Sequence, residues 1–167
     1  MDALFLIVRL VGLGFAAHGA QKLFGWFGGY GLAGTGGYFE GMGWRPGRVF
    51  AAVAGLGEFL GGLLLFLGLG GPIGPMLIIA VMVVAAVSVH WPAGWFAPNG
   101  VELPVLYIAF AMVFAFIGFG AYSLDALLGL TVYWTMTVSW IAVAIGILAG
   151  LATLALRRKP APAPAES

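Results

Sequence analysis

The chain has 167 residues, of which 62% are apolar and 8% charged, against roughly 25% charged in soluble domains. That composition cannot supply a polar exterior for a water-soluble fold, so lipid is the expected solvent for most side chains. A net charge of +1 without a basic patch excludes nucleic-acid recognition, and the absence of cysteine excludes disulfides, iron–sulfur clusters, thiolate nucleophiles and covalently attached haem.

Five apolar stretches, 3–24, 48–69, 73–91, 102–120 and 134–156, each approach the ~20 residues a helix needs to cross a bilayer. Barrel strands need only about 10, so the expected fold is an all-α transmembrane bundle. The first stretch reads as a span rather than a cleaved leader, because Asp2 replaces the usual basic start and Arg9 interrupts the apolar run. It also carries His18, Gln21 and Lys22. An ionisable side chain at mid-bilayer costs about 3 kcal/mol or more unless it is paired or hydrated. Counting along the helix from the inner ends puts His18 ~9 Å deep, Glu58 of the second stretch ~15 Å and Arg9 ~22 Å. A long Arg9 side chain could then meet Glu58, forming a polar pair that locks two helices or relays protons. Lys22, near the helix end, is expected to snorkel to the phosphates. Arg9 and His18 lie about 180° apart on an ideal helix, whereas His18, Gln21 and Lys22 share a face.

The segment 25–47 holds ten glycines and six aromatic residues. Its Trp and Tyr content places it along the membrane surface or folded back against the bundle. Its Gly29-x-Gly31-x-x-Gly34 spacing matches a dinucleotide fingerprint by chance, since no strand precedes it. In the second stretch Gly55, Gly57, Gly61 and Gly62 surround Glu58 and permit close helix approach, turning Glu58 toward protein. Gly70-Gly71-Pro72 makes a tight turn. The third stretch runs parallel to the first and ends at His90, and the fourth begins at Glu102 on the same side. That inner side therefore collects His18, Gln21, Lys22, His90, Asn99 and Glu102, a candidate pocket for a ligand head group. The plainer alternative is a set of interfacial groups satisfied by lipid or water. Two histidines could ligate a haem or metal, but nothing else in the spacing supports it, and no metal site is assigned.

Ser123 reads as an N-cap with Asp125 in the first turn of a short surface helix over 123–130. Residues 131–156 add a further transmembrane helix, and the Pro-Ala-rich tail at 157–167 is expected to be disordered. With five spans and the N-terminus outside, Lys22, Arg45, Arg48, Arg157, Arg158 and Lys159 all lie inside. Positive-inside bias therefore predicts a cytoplasmic-membrane protein with a cytoplasmic C-terminus.

Several motifs occur in order: Arg9 in the first span, His18-Gly19-Ala20-Gln21-Lys22-Leu23-Phe24-Gly25 at its end, the glycine-rich segment, and Glu58 followed by Gly61-Gly62. Val89-His90, Gly94-Trp95-Phe96, Asn99-Gly100-Val101-Glu102-Leu103-Pro104 and Gly120-Ala121-Tyr122-Ser123-Leu124-Asp125 follow. Over roughly residues 3–130 the chain resembles the DoxX family of small bacterial and archaeal membrane proteins. The resemblance implies a four-helix membrane bundle over 1–130, from which a fifth helix departs. The family takes its name from association with thiosulfate:quinone oxidoreductase, which implies a membrane subunit of a redox-linked complex with further protein partners. A quinone suits such a cavity, because its tail partitions into lipid while its carbonyls accept hydrogen bonds from His18, Gln21, Lys22 or His90. Glu58 or Glu102 could relay protons. The chain carries no evident electron carrier of its own, so whether it is an enzyme stays open and no catalytic residue is assigned. A structural or assembly subunit and a small-molecule or proton transporter are the alternatives; no internal repeat supports the latter.

Overall fold

A computed structural model describes residues 2–158, and among these the secondary structure is entirely helical. The helices are α1 (Asp2–Val8), α2 (Val11–Phe24), α3 (Gly31–Gly41), α4 (Gly47–Leu67), α5 (Ile73–Ala85), α6 (Glu102–Ile117), α7 (Leu124–Leu127) and α8 (Met136–Ala155). Four stretches are long and apolar enough to cross a membrane: Ala3–Phe24, Gly47–Leu67, Ile73–Ala93 and Met136–Ala155. These sequence features produce an all-α membrane bundle.

The fourth predicted span, 102–120, forms a helix of only 16 residues, roughly 24 Å long. It still runs from one end of the bundle to the other. At its start the Val101 amide donates to the Gly94 carbonyl beyond α5. After its end, Asp125 accepts hydrogen bonds from the amides of Gly70 (2.9 Å) and Gly71 (2.7 Å) in the α4–α5 turn. Asp125 is buried, so it serves these orphaned turn amides as well as the first turn of α7, which Ser123 caps by accepting from the Ala126 amide at 3.1 Å. The predicted helix over 123–130 is shorter than expected, giving way to a 3₁₀ turn at Leu130–Tyr133.

The main chains of α2 and α4 touch. A Cβ on Gly12 would overlap the Gly62 carbonyl and the Phe66 amide; one on Gly19 would overlap the Gly55 carbonyl and the Phe59 amide. Across α4, Gly57 faces Val81 and Gly61 faces Gly74 and Ile78 of α5. Small residues allow this approach where lipid offers no hydrophobic drive to helix pairing. The same device seats α8 on α5, with Gly146 against Met76 and Gly150 against Val83, while the Ser139 hydroxyl donates to the Ala115 carbonyl of α6. The last helix is thus packed into the bundle over its length.

Segment 25–47 folds back against the bundle and contains a helix that its glycine content concealed. Gly25, at φ 73°, ends α2, and α3 then packs beside the first turns of α4. Gly36 lies on Arg48, Glu40 accepts from the Gly47 amide at 3.0 Å, and Trp44 is 0% exposed. The Trp44 indole donates to the Thr153 carbonyl at 3.1 Å, and the Arg158 amide donates to the Gly43 carbonyl at 2.9 Å. Arg157 places its guanidinium over the Trp44 ring, 5.3 Å from its centroid, so the first two residues of the tail are tied down; residues 159–167, including Lys159, lie outside the described residues. The bundle therefore has two ends. One gathers residue 2, the α4–α5 turn and residues 118–135. The other, the cleft end, gathers 25–46, 91–101 and 156–158.

Two outcomes follow. Gly62→Ala should lower thermal stability in detergent by about 1–3 kcal/mol through forced separation of α2 and α4, whereas Gly14→Ala, which meets nothing within 4 Å, should be neutral or slightly stabilising. Because the chain has no native cysteine, single cysteines at Gly37 and Trp95 should react with an impermeant thiol reagent from one side of the membrane and one at Val132 from the other.

Candidate functional site

The first span is interrupted at Arg9 and Leu10, where the amides of Leu10, Gly12 and Leu13 bond to the third residue back instead of the fourth. Arg9 is 3% exposed. Its Nη1 donates to the Phe119 carbonyl at 3.3 Å and its Nη2 to the Tyr122 carbonyl at 3.0 Å. The guanidinium thus satisfies carbonyls left open where α6 has ended, and the expected Arg9–Glu58 pair does not form. The cause is direction: Arg9 turns toward the nearer end of the bundle, away from Glu58.

Glu58 pairs with Lys22 instead. The Lys22 Nζ donates to Glu58 Oε1 at 2.6 Å, the one ion pair among the described residues. Register explains it. With Gly12 over Gly62 and Gly19 over Gly55 and Phe59, the end of α2 comes level with the second turn of α4, and Lys22 lies against Gly55, about one turn from Glu58. Helix α4 runs about five residues, roughly 8 Å, past the end of α2, with α3 beside it. Lys22 therefore does not reach for phosphates; it compensates a carboxylate that is 1% exposed. The second carboxylate oxygen, Oε2, is buried without a hydrogen-bond partner.

Glu58 and Lys22 line an open cleft of about 1060 Å³ bounded by α2, α3, α4, the end of α5 and the start of α6. Phe15, Met82 and Tyr107 form part of its wall, the Phe15 and Tyr107 rings meeting edge to face with centroids 4.8 Å apart. His18, Gln21 and His90 also line it. His90 ends a π-helical turn, Ala86–His90, that continues α5. The structure thus brings His18, Gln21, Lys22 and His90 together and adds Glu58. Glu102 is left out: at the N-terminus of α6 its carboxylate turns back to accept from the Phe96 amide at 3.0 Å, while Leu103 and Pro104 line the cleft. Sequence reasoning missed Tyr107, although a tyrosine within an apolar span was a signal, and it missed the α3 wall with Thr35 and Tyr38, which gave none.

Both imidazoles are oriented. The His90 Nδ1 lies 2.8 Å from the Asn99 carbonyl oxygen, which can only accept, so Nδ1 carries the proton. The Gln21 Nε2 donates to the Phe27 carbonyl at 3.2 Å, which fixes its amide and leaves Oε1, 2.9 Å from His18 Nδ1, as acceptor. His18 Nδ1 therefore also carries a proton. In each neutral ring Nε2 is left as a lone-pair acceptor without a protein partner among the described residues. No cluster of three His, Cys, Asp or Glu among the described residues is placed to hold a metal.

Apolar helices wrapped around an amphipathic cleft open at one end of the bundle define a multi-pass helical membrane protein. The DoxX family model matches residues 4–91, and the chain belongs to that family. The matched segment contains His18, Gln21, Lys22, Glu58 and His90 and ends before α6. No curated protein and no solved structure matches the chain.

Lys22→Met should leave a buried carboxylate uncompensated and lower stability by about 3 kcal/mol, whereas His18→Ala, at an exposed ring, should cost less than about 1 kcal/mol. Chemical or thermal unfolding in one detergent compares them directly.

Proposed function

We propose that the protein is a membrane subunit of a redox-linked complex and that its cleft binds the head group of a quinone/quinol couple. The observation that carries the reading is that His18, Lys22, Glu58 and His90, from α2, α4 and the end of α5, line one apolar-walled cleft. Apolar walls with a few polar groups inside are the usual form of a small-molecule site. A quinone reaches such a site through lipid, and its two ring oxygens need partners there. Lys22 is suited to donate to either form, the two imidazoles to accept from a ring O–H, and the Lys22–Glu58 pair to exchange a proton with the ring oxygens. The chain has no cysteine and no intrinsic electron carrier is assigned, so electrons would come from a partner subunit. The clustering of Arg45, Arg48, Arg157 and Arg158 at the cleft end favours a cytoplasmic cleft in a cytoplasmic membrane, with the N-terminus outside.

The test uses protein in lipid nanodiscs titrated with decylubiquinone and, separately, decylubiquinol. At least one form should bind saturably, and His18→Ala and His90→Ala should each weaken it several-fold with little change in thermal midpoint. Absence of saturable binding by either form, or unchanged affinity in both variants, would contradict the reading.

A further inference from the structure

The polar groups facing the cleft are unequally divided between donors and acceptors. Glu58 Oε2 is a carboxylate oxygen without a hydrogen-bond partner, on a side chain 1% exposed. His18 and His90 have their Nδ1 protons committed to Gln21 Oε1 and the Asn99 carbonyl, so each neutral ring turns an acceptor, Nε2, to whatever occupies the remaining hydrogen-bonding position. The Ser88 hydroxyl donates to the Val84 carbonyl of its own helix, and the Thr35 hydroxyl to the Lys22 carbonyl at 3.5 Å. The Gln21 amide is used on both sides. Against these acceptors stands one cation, Lys22, which donates one of its three N–H bonds to Glu58 Oε1 and keeps two. The hydroxyls of Tyr30, Tyr38 and Tyr107, also in the lining, can donate or accept and favour neither.

A dione offers only acceptor oxygens. Placed here, it would leave Glu58 Oε2 and both Nε2 atoms facing lone pairs, and the cost falls on Glu58, the buried acceptor. A dihydroxy ring offers two O–H donors, one of which can reach a carboxylate in a charge-assisted bond. We infer that the cleft is built for a hydrogen-bond-donating head group and holds the reduced, quinol form in preference to the quinone. This rests on the proposed ligand site and specifies its occupant; Glu58 is the residue that discriminates, with the imidazole Nε2 atoms as secondary acceptors.

The experiment compares three probes on the wild-type protein in nanodiscs, without oxygen and at mildly alkaline pH where imidazole is neutral: decylubiquinol, decylubiquinone, and the dimethyl ether of decylubiquinol, which has the same ring and tail but no O–H. The quinol should bind about tenfold or more tighter than both others. Glu58→Gln, checked for an intact fold by its thermal midpoint, should remove most of that preference by weakening the quinol and changing the quinone less than about twofold. Quinone or dimethyl ether binding as tightly as quinol would overturn the inference while leaving the ligand site standing. Failure of all three probes to bind would overturn both the inference and the proposed site.

Discussion

Where α2 crosses α4, main chain rests on main chain, and the polar architecture depends on that contact. Gly12, Gly19, Gly55 and Gly62 lie at the seam, and a side chain at Gly12, Gly19 or Gly62 would meet the backbone of the other helix and push the two apart. On its other side α4 offers Gly57 and Gly61 to α5. Glu58 falls between these glycine faces, so close packing carries it into the protein and away from lipid. The same contact fixes the register that brings Lys22 within 2.6 Å of it.

The two buried charges of the membrane interior are compensated differently, and the difference separates structure from site. Arg9 gives Nη1 and Nη2 to the Phe119 and Tyr122 carbonyls, its buried Nε staying without a partner, and so joins the first span to the chain beyond α6. A cation held by main-chain carbonyls has no counter-ion to exchange a proton with. Glu58 is held by a lysine through one oxygen and keeps the other unpartnered beside a cleft. Replacing such a pair with apolar residues of similar volume is often neutral for a fold, so stability alone does not account for this one, and the proposed ligand site would give it a use.

Much of the fold was legible because hydropathy and helix length are local properties: the spans, the Gly70-Gly71-Pro72 turn and the Ser123 cap could all be read directly. That His18 and His90 lie toward the same end of the bundle was legible too, since it needs only the parity of the crossings. Register was not. Depth counting assumed that α2 and α4 end level, whereas α4 overshoots and α3 fills the space beside it. That assumption made Lys22 look terminal and Arg9 look like the nearest cation to Glu58. The Phe119 and Tyr122 carbonyls that hold Arg9 lie more than a hundred residues away in sequence and have no side-chain signature. Glu102 was placed at the correct end, but which way an N-terminal side chain turns depends on loop amides such as that of Phe96, which no pattern announces.

The claim on which the account turns is that Glu58 is coupled to Lys22 and not to Arg9. Double-mutant cycles measure this directly, using Lys22→Met with Glu58→Gln and Arg9→Met with Glu58→Gln, each read as unfolding free energy in the same detergent. The account predicts a coupling above about 1 kcal/mol for Lys22 and Glu58, and additivity within about 0.5 kcal/mol for Arg9 and Glu58. Coupling between Arg9 and Glu58 with additivity at Lys22 would contradict it.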